Sequence, residues 1–291
     1  VQQNREQDQP VTDHYAVMGF PVAHSKSPRI HASFAQQTAQ DLDYGALAVQ
    51  PGNFAAAVED FFASGGKGLN ITVPFKQEAW ALAATLSGEA ASAGAVNTLA
   101  LDPQGRLYGH NTDGIGLVRD ILQNHGGSLR DKRLLILGAG GATRGILLPL
   151  LQQQPAVLWI ANRTASKAAD LAQLFAAQGG NCDLQAGGFE SLAGQGFDWV
   201  INATAASLQG ELPPLPEDLL LPGAWCYDLM YATEPTIFCR WALAHGASQS
   251  LDGLGMLVEQ AAEAFWLWRG VRPDTAPVLA ALRQGGSGQA R

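Results

Sequence analysis

Short apolar runs alternate with amphipathic stretches along most of this chain, and the alternation predicts an α/β architecture. The first half reads as a strand over 15–20, a turn, and a helix opened by Pro28. A strand over 44–49, a helix over Phe54–Ala63, a short strand over 68–73 and a helix beginning near Lys76 follow. Segments 95–101 and 106–108 flank Asp102-Pro103-Gln104-Gly105, a good hairpin turn. A helix over 114–123 then bridges to a second unit with strands over 134–137, 156–161, 199–203 and 225–229. Helices over Leu254–Arg269 and 273–283 complete the pattern, which contains no internal repeat.

The second unit carries the most informative local sequence. The apolar run Leu134-Leu135-Ile136-Leu137 leads into Gly138-Ala139-Gly140-Gly141-Ala142-Thr143-Arg144-Gly145 and then a helical Ile146-Leu147-Leu148. A buried strand entering a glycine-rich turn and a helix is suited to a pyrophosphate, because glycines allow close approach and the helix N-terminus presents free N–H groups. Thr143 stands where the usual fingerprint has a third small residue, so the turn alone also fits an ordinary strand-to-helix loop. The next strand ends in Asn162-Arg163-Thr164, about 20 residues beyond the glycines, where a dinucleotide fold meets the adenosine ribose. No carboxylate is available there to select NAD. Arg163, the Thr164 hydroxyl and Lys167 suit a 2′-phosphate, which points to NADP.

Composition narrows the function classes. The 291 residues suffice for two domains, and the net charge of −8 argues against nucleic acid or an anionic membrane as partner. The three cysteines have no metal-like spacing with the histidines and read as reduced thiols. No apolar stretch reaches the roughly 18 residues needed to span a bilayer. Residues 1–10 and 284–291 read as disordered tails, and the whole as a cytoplasmic enzyme.

In the first half, polar residues cluster where strands end, which is where open α/β sheets bind ligands. His24-Ser25-Lys26-Ser27-Pro28 follows the first strand; its two hydroxyls can receive a carboxylate, while Ser27 serves equally as a helix cap. Asn70, Thr72 and Lys76 follow the third, although a lysine there is ordinarily exposed. Asn97 sits in an apolar frame, so it is structural or ligand-binding. Asp113, in Asn111-Thr112-Asp113-Gly114, could cap the bridging helix.

Together these segments resemble the shikimate dehydrogenase family. The resemblance rests on Gly19-Phe20-Pro21-Val22-Ala23-His24-Ser25-Lys26-Ser27-Pro28, Asn70-Ile71-Thr72-Val73-Pro74-Phe75-Lys76, Gly94-Ala95-Val96-Asn97-Thr98 and Asn111-Thr112-Asp113-Gly114. It continues through the Gly138 turn, Asn162-Arg163-Thr164, Tyr227-Asp228-Leu229-Met230-Tyr231, and Asp252-Gly253-Leu254-Gly255-Met256 followed by Gln260. It implies two α/β domains around a cleft: a discontinuous open-sheet substrate-binding domain (1–112, with C-terminal helices 251–291 returning to it) and a Rossmann-type NADP-binding domain (113–250). The implied reaction is reversible reduction of 3-dehydroshikimate to shikimate with NADPH, by a monomer or homodimer. Ser25 and Ser27, helped by Tyr231, would bind the ring carboxylate; Asn70, Thr72, Asn97 and Gln260 would hold the ring hydroxyls; Lys76 and Asp113 would form the catalytic pair. Gly138, Ala139, Gly140, Gly141 and Ala142 would hold the pyrophosphate, and Asn162, Arg163, Thr164 and Lys167 the adenosine phosphate, with Leu229 and Gly253 near the nicotinamide. Two departures stand out: Lys167 where the family often has Arg, and Leu229 where Met is common, the latter conserving volume.

Chemistry agrees with the pair. A carbonyl oxygen that gains charge during hydride transfer needs a proton, and a lysine beside a carboxylate can manage it. Three other readings compete: an NAD-dependent quinate/shikimate dehydrogenase, another short-chain dehydrogenase (lacking here its Tyr-x-x-x-Lys helix), and a silent dinucleotide sensor free to lose Lys76 or Asp113.

Overall fold

The computed structural model describes residues 12–286, and the described residues form two six-stranded sheets. The first sheet contains β1 (Asp13–Gly19), β2 (Leu42–Ala48), β3 (Gly68–Ile71), β4 (Thr85–Leu86), β5 (Thr98–Leu101) and β6 (Leu107–His110), in the order β2-β1-β3-β5-β6-β4. Its helices are α1 (Ser27–Thr38), α2 (Phe54–Ala63), α3 (Lys76–Leu82) and α4 (Gly88–Ala93). β2, β1 and β3 are parallel, so the ends of β1 and β3 open on the same edge; β5 and β6 form the expected antiparallel hairpin. Asp102 closes that turn by accepting from the amides of Gln104 (3.0 Å) and Arg106 (2.9 Å).

The bridging helix α5 (Asp113–Arg119) continues into a π-helical turn, Asp120–Asn124. The second sheet is wholly parallel: β7 (Arg133–Leu137), β8 (Val157–Ala161), β9 (Asp183–Gly187), β10 (Phe197–Asn202), β11 (Leu220–Asp228) and β12 (Gln249–Asp252). Its order, β9-β8-β7-β10-β11-β12, is the doubly wound dinucleotide arrangement, with the reversal between β7 and β10. The helices of this part are α6 (Gly141–Leu151), α7 (Ala165–Phe175) and α8 (Ile237–Ala244). β7 is apolar throughout because both its faces are covered: Leu134 and Ile136 enter one core cluster, Leu135 and Leu137 the other.

The chain ends in α9 (Leu254–Arg269) and α10 (Ala276–Gly286). Leu254, Val258, Ala261, Ala262 and Phe265 of α9 pack with Val278 and Leu282 of α10 on Ile30 and Phe34 of α1, so the C-terminal helices return to the first sheet's side. Two expectations change here. Residues 284–286 belong to α10 rather than to a tail, and α10 starts at Ala276, where Asp274 accepts from the Ala276 amide at 3.1 Å, rather than at 273. The stretches 1–10 and 287–291 lie outside the described residues.

Candidate active site

A cleft of ≈ 630 Å³ opens where β1 and β3 of the first sheet end, and the loop after β11 and helix α9 close its other side. It gathers Lys76 and Asp113 with Ser25, Ser27, Asn70, Thr72, Asn97, Tyr231 and Gln260, and also Leu229 and Gly253 from the cofactor set.

At its floor Lys76 Nζ donates to Asp113 Oδ2 at 2.6 Å. Lys76 is the first residue of α3 and Asp113 the first of α5, where a carboxylate is favoured by the helix dipole. Asp113 is no cap: the N-cap is Thr112, without a side-chain cap bond, and the Asp113 amide donates to Asn111 Oδ1 at 3.1 Å. Its other oxygen, Oδ1, accepts from Asn97 Nδ2 at 2.9 Å. Asn97 is itself fixed, because its Oδ1 accepts from the Thr112 amide at 2.9 Å. Gln260 extends this network from α9, donating from Nε2 to Leu257 O at 2.9 Å while its Oε1 faces Thr112 Oγ1 at 3.3 Å.

Asn70 is buried. Its Oδ1 accepts from the Tyr44 hydroxyl at 2.7 Å, and its Nδ2 donates to Thr98 Oγ1 (3.1 Å) and Asn97 O (3.3 Å). Burial pushes the Tyr44 phenol well above its ordinary range, so Tyr44 remains a donor. Its ring stacks on His31 with centroids 4.1 Å apart, and burial drives His31 down to about 3, keeping that imidazole neutral.

The capping reading of Ser27 does not hold. The N-cap of α1 is Lys26, without a side-chain cap bond, and the Ser27 amide donates to Ser25 Oγ at 3.2 Å. Across the cleft, burial and the nearby Asp252 raise the Tyr231 phenol.

The remaining cofactor-set residues lie outside the cleft, along the carboxyl ends of β7 and β8. Gly138 takes φ +102°, which favours glycine, and its amide donates to Ala161 O at 2.7 Å. Thr143 is buried and donates from Oγ1 to Gly138 O at 2.8 Å, so the departure from the fingerprint closes the turn with a hydroxyl. Asn162 links turn and strand end: Oδ1 accepts from the Ala139 amide at 3.2 Å and Nδ2 donates to Thr164 O at 2.9 Å. Arg163 lines a recess of ≈ 500 Å³ with Phe189, Glu190, Ala193, Pro214, Leu215 and Pro216, while Thr164 and Lys167 are exposed at the start of α7.

Sequence reasoning passed over two supporting residues. Buried Asp228 accepts from Thr236 Oγ1 (2.6 Å), Asn202 Nδ2 (3.0 Å) and the Met230 amide (3.1 Å), and so fixes the loop that carries Leu229 and Tyr231. Asn202 also accepts from Thr204 Oγ1 at 2.7 Å, shaping the loop opposite Gly138. A polar residue ending each of two apolar strands, Asn202 as the last of β10 and Asp228 as the last of β11, was the available signal.

Three family models match the chain: a shikimate dehydrogenase substrate binding domain over residues 17–99, a shikimate / quinate 5-dehydrogenase domain over 120–209, and a shikimate 5′-dehydrogenase C-terminal domain over 253–283. The shikimate dehydrogenase (NADP(+)) of Alkalilimnicola ehrlichii is 59% identical over 273 residues, covering 94% of this chain and 99% of that protein. The chain belongs to the shikimate dehydrogenase family. Among solved structures, an enzyme from Pseudomonas putida is 48% identical with a TM-score of 0.87, covering 93% of this chain and 98% of that one. The family enzyme from Thermus thermophilus, in complex with NADP(H) and shikimate, is 33% identical with a TM-score of 0.82, covering 94% and 99%. Among the described residues no helix is long and apolar enough to cross a membrane.

Proposed function

We propose that this chain interconverts 3-dehydroshikimate and shikimate with NADP(H), in the biosynthesis of aromatic amino acids, as a cytoplasmic monomer or homodimer. The observation that carries the reading is the Lys76–Asp113 contact of 2.6 Å on the floor of a cleft between the two sheets. The substrate-binding domain is 1–112 with 251–291, and the NADP-binding domain 113–250.

The residues present fit a dinucleotide phosphate. The N-cap of α6 is Gly140, which offers no side-chain cap, and a Cβ built on Gly140 or Gly141 meets nothing within 4 Å, so the first-turn N–H groups are accessible to an anion. Gly138 to Ala142 would hold the pyrophosphate, and Arg163 with Thr164 and Lys167 the 2′-phosphate; bound NADPH supplies the hydride. Ser25, Ser27 and Tyr231 orient the ring through its carboxylate, and Thr72, Asn70, Asn97 and Gln260 its hydroxyls. Lys76 and Asp113 move the proton of the reacting oxygen as a pair, with Asn97 holding Asp113 Oδ1 so that Oδ2 stays on Lys76.

The test is to compare kcat/KM for shikimate and quinate, each with NADP and with NAD. Shikimate with NADP should lead. A lead for quinate or for NAD would move the chain to the quinate/shikimate reading.

A further inference from the structure

We propose that Lys26 is a specificity residue: its ammonium supplies the positive charge by which the cleft selects a ring bearing a carboxylate over an uncharged one. The inference rests on the reading above that Ser25 and Ser27 receive that carboxylate.

The charge inventory of the cleft leads there. Its charged lining consists of Lys26, Lys76 and Asp113, with the imidazole of His24 exposed at the rim. Lys76 and Asp113 are in contact and neutralise each other. Lys26 alone is left over. The seryl hydroxyls provide hydrogen bonds but no net charge, and the −8 of the whole chain repels an anion. A carboxylate that sheds part of its hydration in a half-enclosed cleft needs a compensating cation, and nothing else in the lining supplies one.

The placement of Lys26 matches this role. It lies between the two serines, half-buried, and also lines a neighbouring recess with Tyr231, Glu234 and Arg283. Its Nζ stands 5.8 Å from the centroid of the Tyr231 ring, the third residue expected at the carboxylate. Among the described residues it has no ion-pair partner, and Asp252 on that side is held by Arg283 at 2.9 Å. A cation–π contact at a part-exposed site is weak, so the ammonium can swing on its flexible stem to a carboxylate seated on the hydroxyls.

The experiment compares wild type, Lys26→Met, Lys26→Arg and the Ser25→Ala/Ser27→Ala double variant. Steady-state kinetics are measured with shikimate and with its methyl ester over a range of KCl, and NADP affinity is checked in each. Lys26→Met should raise KM for shikimate about 10- to 100-fold with kcat at saturation within about twofold. It should also flatten the salt dependence of kcat/KM and erase the preference for acid over ester, while NADP affinity stays intact and Lys26→Arg keeps most of both effects. The serine variant should raise KM and retain the salt dependence. If Lys26→Met keeps the wild-type KM and salt dependence while the serine variant weakens binding, the proposal is overturned and the carboxylate reading stands. If neither variant changes KM for the acid, the carboxylate reading falls, and the proposal with it.

Discussion

Replacing Asp113 by Asn keeps the shape of the side chain and removes what its two oxygens do. Oδ2 accepts from Lys76 Nζ at 2.6 Å and Oδ1 from Asn97 Nδ2 at 2.9 Å. An asparagine has one acceptor oxygen, so its amide nitrogen must face one of those two donors whichever way it turns. The loss of a charge-assisted bond costs about 1.5–3 kcal/mol, and an unpaired donor adds about 1–3 kcal/mol. Water reduces the second figure, because the Lys76 side chain is 32% exposed and that of Asp113 15%. About 2–4 kcal/mol remains, or roughly 30- to 1,000-fold, which overlaps the ~10²–10⁴-fold expected when an acid–base group is lost. Asp113→Asn and Lys76→Met should therefore each lower kcat by ~10²–10⁴-fold, and the double variant little further if the two groups serve one proton as proposed. The assay is absorbance of the reduced cofactor at saturating substrate, with a thermal melt alongside. The unpaired donor is present in the free protein too, so the melt should fall by up to about that amount, and kcat is read well below the transition. A kcat within about threefold of wild type, or a double variant whose loss is the product of the singles, would refute the shared-proton argument.

Arg163→Ala should weaken NADP about 10- to 150-fold and NAD hardly at all, as measured by dissociation constants for both; equal weakening would remove the 2′-phosphate assignment. Gly114→Ala should destabilise the fold by about 1–3 kcal/mol in denaturant melts and lower kcat, because its methyl would stand 2.6 Å from Gly145 O and press α5, with Asp113, away from α6; unchanged stability would show that this helix contact yields. His31, held down to about 3 by burial, stays neutral in the fold while the unfolded chain takes up a proton below about 6.5. Its contribution is thus complete above about pH 6.5 and lost at up to ~1.4 kcal/mol per unit as pH falls toward 3, so between pH 7 and 5 wild type should lose about 2 kcal/mol more than His31→Phe; identical slopes would mean that His31 titrates normally.

The glycine turn, the helices Phe54–Ala63 and Leu254–Arg269 and the paired apolar strands were legible because each is long enough, or bounded sharply enough, to show its own period. Elements that escaped are short or sit at edges. β4 has two residues and α4 six, below one clear repeat, and the edge strand β9 alternates too little to separate from a loop. α8 did announce itself, through Thr236, whose hydroxyl accepts from the Cys239 amide at 3.1 Å, but a lone cap before eight residues carries little weight in a sequence.

The cleft divides along the same line. Residues that end strands at the open edge could be placed there from order alone, whereas the pairing of Lys76 with Asp113, 37 positions apart, followed only from the resemblance to the family. The orientation of the amides could not be placed from order, because it depends on strand register. Tyr44 and Gly68 both pair with Tyr15 of β1, and Asn70 is two residues beyond Gly68. A two-residue step returns to the same face, so Tyr44 and Asn70 meet across β1, their side chains joined at 2.7 Å. With Tyr44 donating to Oδ1, and Nδ2 spent on Asn97 O and Thr98 Oγ1, Asn70 keeps only acceptor capacity toward the cleft. A ring hydroxyl bound there has to donate rather than accept, a polarity set by a tyrosine on another strand that does not line the cleft.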